Sequence, residues 1–217
     1  MQTREHQAAL SKLVGPAVIP VLTIDDARSA LPLARALAAG GLTSLEVTLR
    51  TEAAIPAINI ISEALASDVA VGVGTVRSPA QAEIAIKAGA KFIVSPGMTP
   101  SLVEAAGQWP VPFLPGAATP SEAMALADIG YRTLKFFPAA QNGGVGALRA
   151  FEAPLPDIQF CPTGGVDAGN AAEYLALKNV VCVGGSWVAP KVLVENEDWA
   201  SIEALARDAA SLRPQPG

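Results

Sequence analysis

Eight short runs of apolar and β-branched residues alternate with alanine-rich helical stretches along the 217-residue chain, and no linker is long enough to separate domains. The runs are 17–23, 44–49, 69–75, 91–95, 111–115, 133–137, 158–162 and 180–184. Strands that alternate with helices at this spacing build parallel sheets through βαβ crossovers. Eight such units in one domain over 1–217 predict an α/β fold, a single-domain (β/α)8 TIM barrel of parallel strands. An open doubly wound sheet is the alternative. Gly72-Val-Gly-Thr-Val-Arg77 bears on it, because a dinucleotide fingerprint would need a third glycine where Arg77 stands. Nucleotide binding is therefore discounted.

Local signals agree with the period. Ser78-Pro79, Thr99-Pro100 and Thr119-Pro120 each put a capping side chain before a proline suited to the first helical position, with Gln81 and Glu122 placed to complete capping boxes. Gly40, Gly89 and Gly130 follow helical patterns where a left-handed C-cap is expected.

A 51% apolar content supports a substantial core, and the charged fraction of 16% is low enough to suggest that another subunit covers part of the surface. A homo-oligomer is expected. The net charge is −5 and the 15 basic residues form no runs, so neither nucleic acid nor an anionic membrane is a natural partner. No apolar stretch reaches the length of a membrane span, and the opening Met1-Gln-Thr-Arg-Glu-His6 is too polar for a signal peptide, which makes the cytoplasm the expected location. Cys161 and Cys182 lie in apolar runs and read as buried, reduced thiols. His6 is the single histidine, so no zinc-type cluster can be assembled, and no short acidic cluster marks a magnesium site.

Lys135 lies in the apolar run Thr133-Leu-Lys-Phe-Phe-Pro138, with no evident partner nearby in sequence. Such a lysine either snorkels to the surface or is buried. A buried ammonium loses hydration, which favours the neutral amine that can attack a carbonyl. In a barrel, residues late in a strand face the active site, and those at its start serve stability. Lys91 opens its strand, and Lys12, Lys87, Lys178 and Lys191 sit in polar helical or loop settings, which leaves Lys135 as the nucleophile candidate. In Leu45-Glu-Val-Thr-Leu-Arg50, strand alternation puts Glu46, Thr48 and Arg50 on one face and the apolar residues on the other. The polar set is expected inside the barrel. An internal ion pair that only satisfies itself is the structural reading there. The chemical reading makes the carboxylate a general acid and base, and has the arginine hold a substrate carboxylate while adding a cation near the amine.

The last two runs lead into Thr163-Gly-Gly165 and Gly184-Gly-Ser186, where barrels commonly bind phosphate through backbone N–H groups. A phosphorylated ligand is expected.

Taken in order, Glu46-Val-Thr-Leu-Arg50, Gly74-Thr75-Val76, Ser95-Pro96-Gly97, Lys135-Phe-Phe-Pro138, Cys161-Pro-Thr-Gly-Gly165 and Gly184-Gly-Ser-Trp187 resemble the 2-keto-3-deoxy-6-phosphogluconate (KDPG) and 4-hydroxy-2-oxoglutarate aldolase family. One departure is Ala140-Gln141, where that family more often has a glutamate after Pro-Ala. The resemblance implies a class I lyase of the Entner-Doudoroff pathway. It would cleave its substrate to pyruvate and D-glyceraldehyde 3-phosphate through a Schiff base, with no metal or other cofactor. It assigns the imine to Lys135 and acid-base catalysis to Glu46. Arg50 and Thr75 would hold the carboxylate, Pro96 and Phe137 would shape the wall around the pyruvyl carbons, and Thr163 would position the substrate or a water. Gly164, Gly165 and Ser186 would receive the phosphate. It also implies a homotrimer. Each assignment has a plain structural counterpart: strand ends for Thr75 and Thr163, a turn for Pro96, a core aromatic for Phe137 and a helix cap for Ser186.

Three rivals stand beside this reading. One is a related aldolase for 4-hydroxy-2-oxoglutarate or 2-keto-3-deoxy-6-phosphogalactonate, and Arg50 favours the gluconate branch over the galactonate one. The second is a phosphate-binding barrel without a covalent intermediate. The third is a non-catalytic sugar-phosphate-binding protein in which Lys135 is only a counter-charge.

Overall fold

The computed structural model describes residues 9–10, 12–13 and 17–212. His6 and the opening residues 1–6 lie outside the described residues. The strand segments are β1 (Val18–Leu22), β2 (Ser44–Thr48), β3 (Ala70–Gly74), β4 (Ile93–Val94), β5 (Phe113–Leu114), β6 (Gly116–Ala117), β7 (Thr133–Phe136), β8 (Gln159–Pro162) and β9 (Val183–Gly185). Between and after them come α1 (Ala30–Ala39), α2 (Ala54–Ala64), α3 (Pro79–Lys87), α4 (Pro100–Ala106), α5 (Pro120–Asp128), α6 (Gly144–Phe151), α7 (Ala171–Leu175), α8 (Lys191–Glu195) and α9 (Trp199–Ala210). All strand pairings are parallel, as expected when helices make the crossovers.

The fold is α/β with a curved parallel sheet. Six segments run in the order β5-β4-β3-β2-β1-β9, and three more in the order β6-β7-β8. Consecutive strands are neighbours, without the reversal of order that defines a doubly wound sheet. The first strand pairs with the last, and the parallel bridges Phe160↔Val180 and Thr163↔Gly184 join β8 to the β9 region. Pro115 separates β5 from β6 because it has no N–H for the ladder, yet its carbonyl accepts the Lys135 N–H at 2.9 Å. The fourth run is correspondingly short, with only Ile93 and Val94 in strand geometry.

Strand alternation sorts the apolar residues into two clusters on opposite faces of the sheet. Val18, Leu45, Val47, Ile93, Phe113 and Leu134 join the larger one, which the helices cover. Ile19, Phe92, Val94, Leu114, Cys161 and Cys182 form the smaller one with Leu10, so both cysteines are buried thiols as expected.

Helix ends follow the sequence signals with two exceptions. The three prolines sit at first helical positions behind Ser78, Thr99 and Thr119, and Thr119 with Glu122 forms a complete capping box. At Ser78 the box stays open, because Gln81 accepts the Arg77 N–H at 2.8 Å rather than that of the cap residue. Gly89 and Gly130 are left-handed as expected, but Gly40 is right-handed and Gly41, at φ +96°, takes that role. Gly40 is instead required by contact: a Cβ there would lie 2.4 Å from Ala206 Cβ, where α9 packs on α1. Among the described residues no helix is long and apolar enough to cross a membrane.

Candidate active site

Lys135 is the third residue of β7, in register with Gly116 on β6 and Cys161 on β8. Its neighbours Leu134 and Phe136 point to the helix-covered cluster, so its side chain leaves by the opposite face, where it is only 5% exposed. The other five lysines are all exposed. The amine is hydrogen-bonded to Glu46, with Nζ 3.1 Å from Oε1 and 3.4 Å from Oε2. It also lies 5.3 Å from the centre of the Phe137 ring, within range of a cation-π contact.

Glu46 comes from the middle of β2 and is 3% exposed. A proton can pass directly between its carboxylate and the amine, in a site nearly closed to bulk water. Of the three polar residues on this strand face, only Glu46 meets the lysine. Thr48 donates to the Leu22 carbonyl at 2.9 Å and lies 3.2 Å from the Thr23 hydroxyl, so it stitches β1 to β2. Arg50 is a correction to the alternation argument. The strand ends at Thr48, the chain turns as the Arg50 N–H donates to the Thr48 carbonyl at 2.8 Å, and the side chain is exposed. Among the described residues Arg50 forms no ion pair, and the charged partner of the amine is a carboxylate rather than a guanidinium.

The remaining expected residues all sit at or just past C-terminal strand ends. Thr75 follows β3 with φ +60°, a left-handed backbone that costs a β-branched residue roughly 1–3 kcal/mol and marks strain held by the surroundings. Pro96, past β4, is half-buried beside Ser95, whose buried hydroxyl donates to the Gly97 carbonyl at 2.6 Å and pins the turn. Phe137 is half-exposed beside the amine and outside the apolar clusters, so the core-aromatic reading does not hold. Thr163 is buried and faces Gly184 on the neighbouring strand, where a Cβ would come within 2.3 Å of its hydroxyl oxygen.

Gly164 and Gly165 have φ +94° and +74°, a backbone open only to glycine without strain, and Ser186 lies exposed past β9. The N–H groups of these three residues donate to no carbonyl of the described residues. The loop that carries the two glycines is tied to the one after β7 by Ala139 N–H to the Thr163 carbonyl (2.8 Å) and Ala140 N–H to the Gly164 carbonyl (3.0 Å). Trp187 packs over Gly185.

A cavity of about 940 Å³ opens beside Ser186, between the loop after β1 and α8, with Thr23, Asp25, Trp187 and Lys191 in its wall. Neither Lys135 nor Glu46 lines it, so the buried ion pair, not this cavity, locates the chemistry. Among the described residues, no three His, Cys, Asp or Glu side chains converge as a metal ligand set. Gly74 had drawn no role from the sequence beyond its place in a motif. A glycine late in a strand signals close approach by a neighbour, and here that neighbour is Glu46.

Comparison with known proteins gives a consistent result. Residues 10–205 match the family model described as "Aldolase: KDPG and KHG aldolase". The chain is 51% identical over 192 residues to a 2-dehydro-3-deoxy-phosphogluconate aldolase of Pseudomonas aeruginosa, covering 88% of this chain and 87% of that one. It is 47% identical over 195 residues to a KHG/KDPG aldolase of Escherichia coli, covering 90% and 91%. The crystal structure of a KDPG aldolase from Legionella pneumophila, with pyruvate captured at low pH as a covalent carbinolamine intermediate, superposes with a TM-score of 0.91 at 42% identity, covering 95% of this chain and all of the other.

Proposed function

Because the chain belongs to the family of KDPG and KHG aldolases, we propose that it is a class I aldolase that cleaves KDPG to pyruvate and D-glyceraldehyde 3-phosphate, with Lys135 as the imine-forming residue and Glu46 as its acid and base. The observation that carries the reading is the contact between a buried amine and a buried carboxylate, 3.1 Å apart, at the C-terminal edge of the sheet.

The reaction follows from that pair. The Lys135 nitrogen forms a bond to the C2 ketone carbon, and Glu46 carries protons as the carbinolamine loses water to give a protonated imine. Glu46 then takes the proton of the C4 hydroxyl. The C3–C4 bond breaks with its electrons drawn toward the imine, which releases glyceraldehyde 3-phosphate and leaves an enamine. Protonation of the enamine at C3 and hydrolysis of the imine release pyruvate and restore the lysine. A single carboxylate serves every proton transfer because it touches the nitrogen from which the chemistry starts.

Binding roles extend this reading. Arg50 and Thr75 hold the substrate carboxylate, with Arg50 reaching in from the exposed turn after β2. Pro96 and Phe137 wall the pyruvyl carbons, and Thr163 positions the substrate or a water. Gly164, Gly165 and Ser186 offer N–H groups to the phosphate at adjoining strand ends, Ser186 adds its hydroxyl, and the neighbouring cavity leaves room for that end of the molecule.

We read the two sheets as one closed eight-stranded barrel in a single domain over 1–217. Support comes from the β1–β9 pairing, the two bridges between β8 and β9, and the continuity of β5 and β6 through Pro115. A cytoplasmic homotrimer completes the proposal and suits the low charged fraction. A second activity on 4-hydroxy-2-oxoglutarate is favoured by the 47% identity to a relative named for both substrates. Comparing pyruvate release from KDPG, from its galactonate epimer and from 4-hydroxy-2-oxoglutarate tests the assignment. KDPG is expected to be cleaved fastest, and no release from any of the three would overturn it.

A further inference from the structure

The two glycines of β3 lie side by side with Glu46 and Thr48 of β2, in the register Glu46↔Gly72 and Thr48↔Gly74. They leave space for different things. A Cβ on Gly72 would meet the Phe92 ring at 2.5 Å, whereas one on Gly74 would sit 2.0 Å from Glu46 Oε1 and 2.6 Å from both Cδ and Cγ. All three nearest atoms to the missing Cβ of Gly74 therefore belong to one side chain. Gly74 does not have a positive φ, so its backbone suits any L-residue and only space demands glycine there. The Glu46 carboxylate thus leans forward along the strands and lies over the Gly74 Cα, and from that place it meets Lys135.

We propose that Gly74 is a positioning residue for catalysis: its absent side chain is the slot that holds the Glu46 carboxylate against the Lys135 amine. The inference rests on the aldolase reading. The slot explains how a flexible glutamate, with three side-chain torsions, keeps one geometry without a second polar anchor. Among the described residues Lys135 is the only side chain to which Glu46 is hydrogen-bonded. On one side the slot floor blocks the carboxylate, and on the other the amine attracts it. A methyl group at position 74 would meet the mobile end of a side chain, so the carboxylate should move while the backbone stays.

Gly74→Ala, Glu46→Ala and the double variant test this, each incubated with pyruvate alone. Exchange of the pyruvate methyl protons with solvent deuterium reports enamine formation, and reductive trapping reports the imine on Lys135. In Gly74→Ala, exchange should fall about 100-fold or more, the loss that follows removal of an acid-base catalyst, while half-saturation by pyruvate changes less than about threefold. Adding Gly74→Ala to Glu46→Ala should then cost nothing further, because a residue that acts only through Glu46 has nothing left to position. Thermal unfolding gives an independent reading. Gly74→Ala should cost no stability beyond that already lost in Glu46→Ala, so that the double variant melts with Glu46→Ala, even if Gly74→Ala alone fails to fold. Wild-type exchange in Gly74→Ala, or additive losses of rate and stability in the double variant, would overturn the proposal. If the wild-type protein neither exchanges nor traps pyruvate, the aldolase reading fails instead.

Discussion

Glu46 and Lys135 are 89 residues apart in the chain, yet their charged ends meet at 3.1 Å in a region where neither side chain is more than 6% exposed. A pair this deep is costly to desolvate and costly to break. Removing one partner of such a pair leaves a buried charge alone and typically costs about 3–5 kcal/mol. Lys135→Met should therefore abolish cleavage of both the gluconate and galactonate substrates, with the fold kept but measurably weakened. Adding Glu46→Gln to Lys135→Met should return most of the lost stability in urea titration without restoring turnover. Turnover in Lys135→Met would contradict the nucleophile assignment.

Thr75 tests whether strain is held for binding. An asparagine tolerates the left-handed backbone at φ +60° better than a β-branched threonine does. Thr75→Asn is expected to stabilise the protein by about 1 kcal/mol while raising the pyruvate concentration needed for half-maximal trapping at least tenfold. A variant that gains stability and binds pyruvate normally would show that the strain serves nothing at the site.

Phosphate recognition is separable from the imine chemistry. Ser186 lies at the strand end next to Thr163 and the two left-handed glycines. Ser186→Ala should raise KM for KDPG by roughly tenfold, the loss of one charge-assisted hydrogen bond, and leave pyruvate trapping at its wild-type rate. Equal effects on both would move Ser186 from the phosphate to the reacting carbons.

Alkaline stability has a specific source in Tyr131, which burial pushes up to about 12 from its ordinary value near 10. The phenol keeps its proton in the folded state after the unfolded chain has lost it. Its contribution is therefore complete below pH 10 and is lost as pH rises from 10 through about 12, by roughly 2–3 kcal/mol in all. Denaturant unfolding of Tyr131→Phe between pH 9 and 12 should show a shallower decline than the wild type. A decline of the same slope would place the alkaline sensitivity elsewhere.

What could be read from the sequence, and what could not, divides along physical lines. The βα period, the proline-led helix starts and the odd lysine in an apolar strand are local signals, and each has a local cause. Lys135 could be picked out because four of the other lysines had polar surroundings and Lys91 stood at the start of its strand, and all five are exposed. The alternation on β2 placed Glu46 correctly but overreached to Arg50, because alternation holds only while the chain stays extended and β2 ends at Thr48. Gly40 misled for a related reason: glycine serves both backbone freedom and close approach, and only the packing of α9 shows which applies. The same ambiguity hid Gly74. Nothing in its neighbours' identities says that a glutamate from the next strand lies over it. The left-handed backbone of Thr75 carries no signal in the sequence, since threonine is an ordinary strand residue until its φ is known.

The most direct test of the account is borohydride reduction of the protein in the presence of pyruvate, followed by mass analysis of its peptides. A stable pyruvate-derived adduct is expected on Lys135, lost in Lys135→Met and much slower to form in Glu46→Gln. Folded protein with no mass shift, or an adduct on any of the five exposed lysines instead, would contradict it.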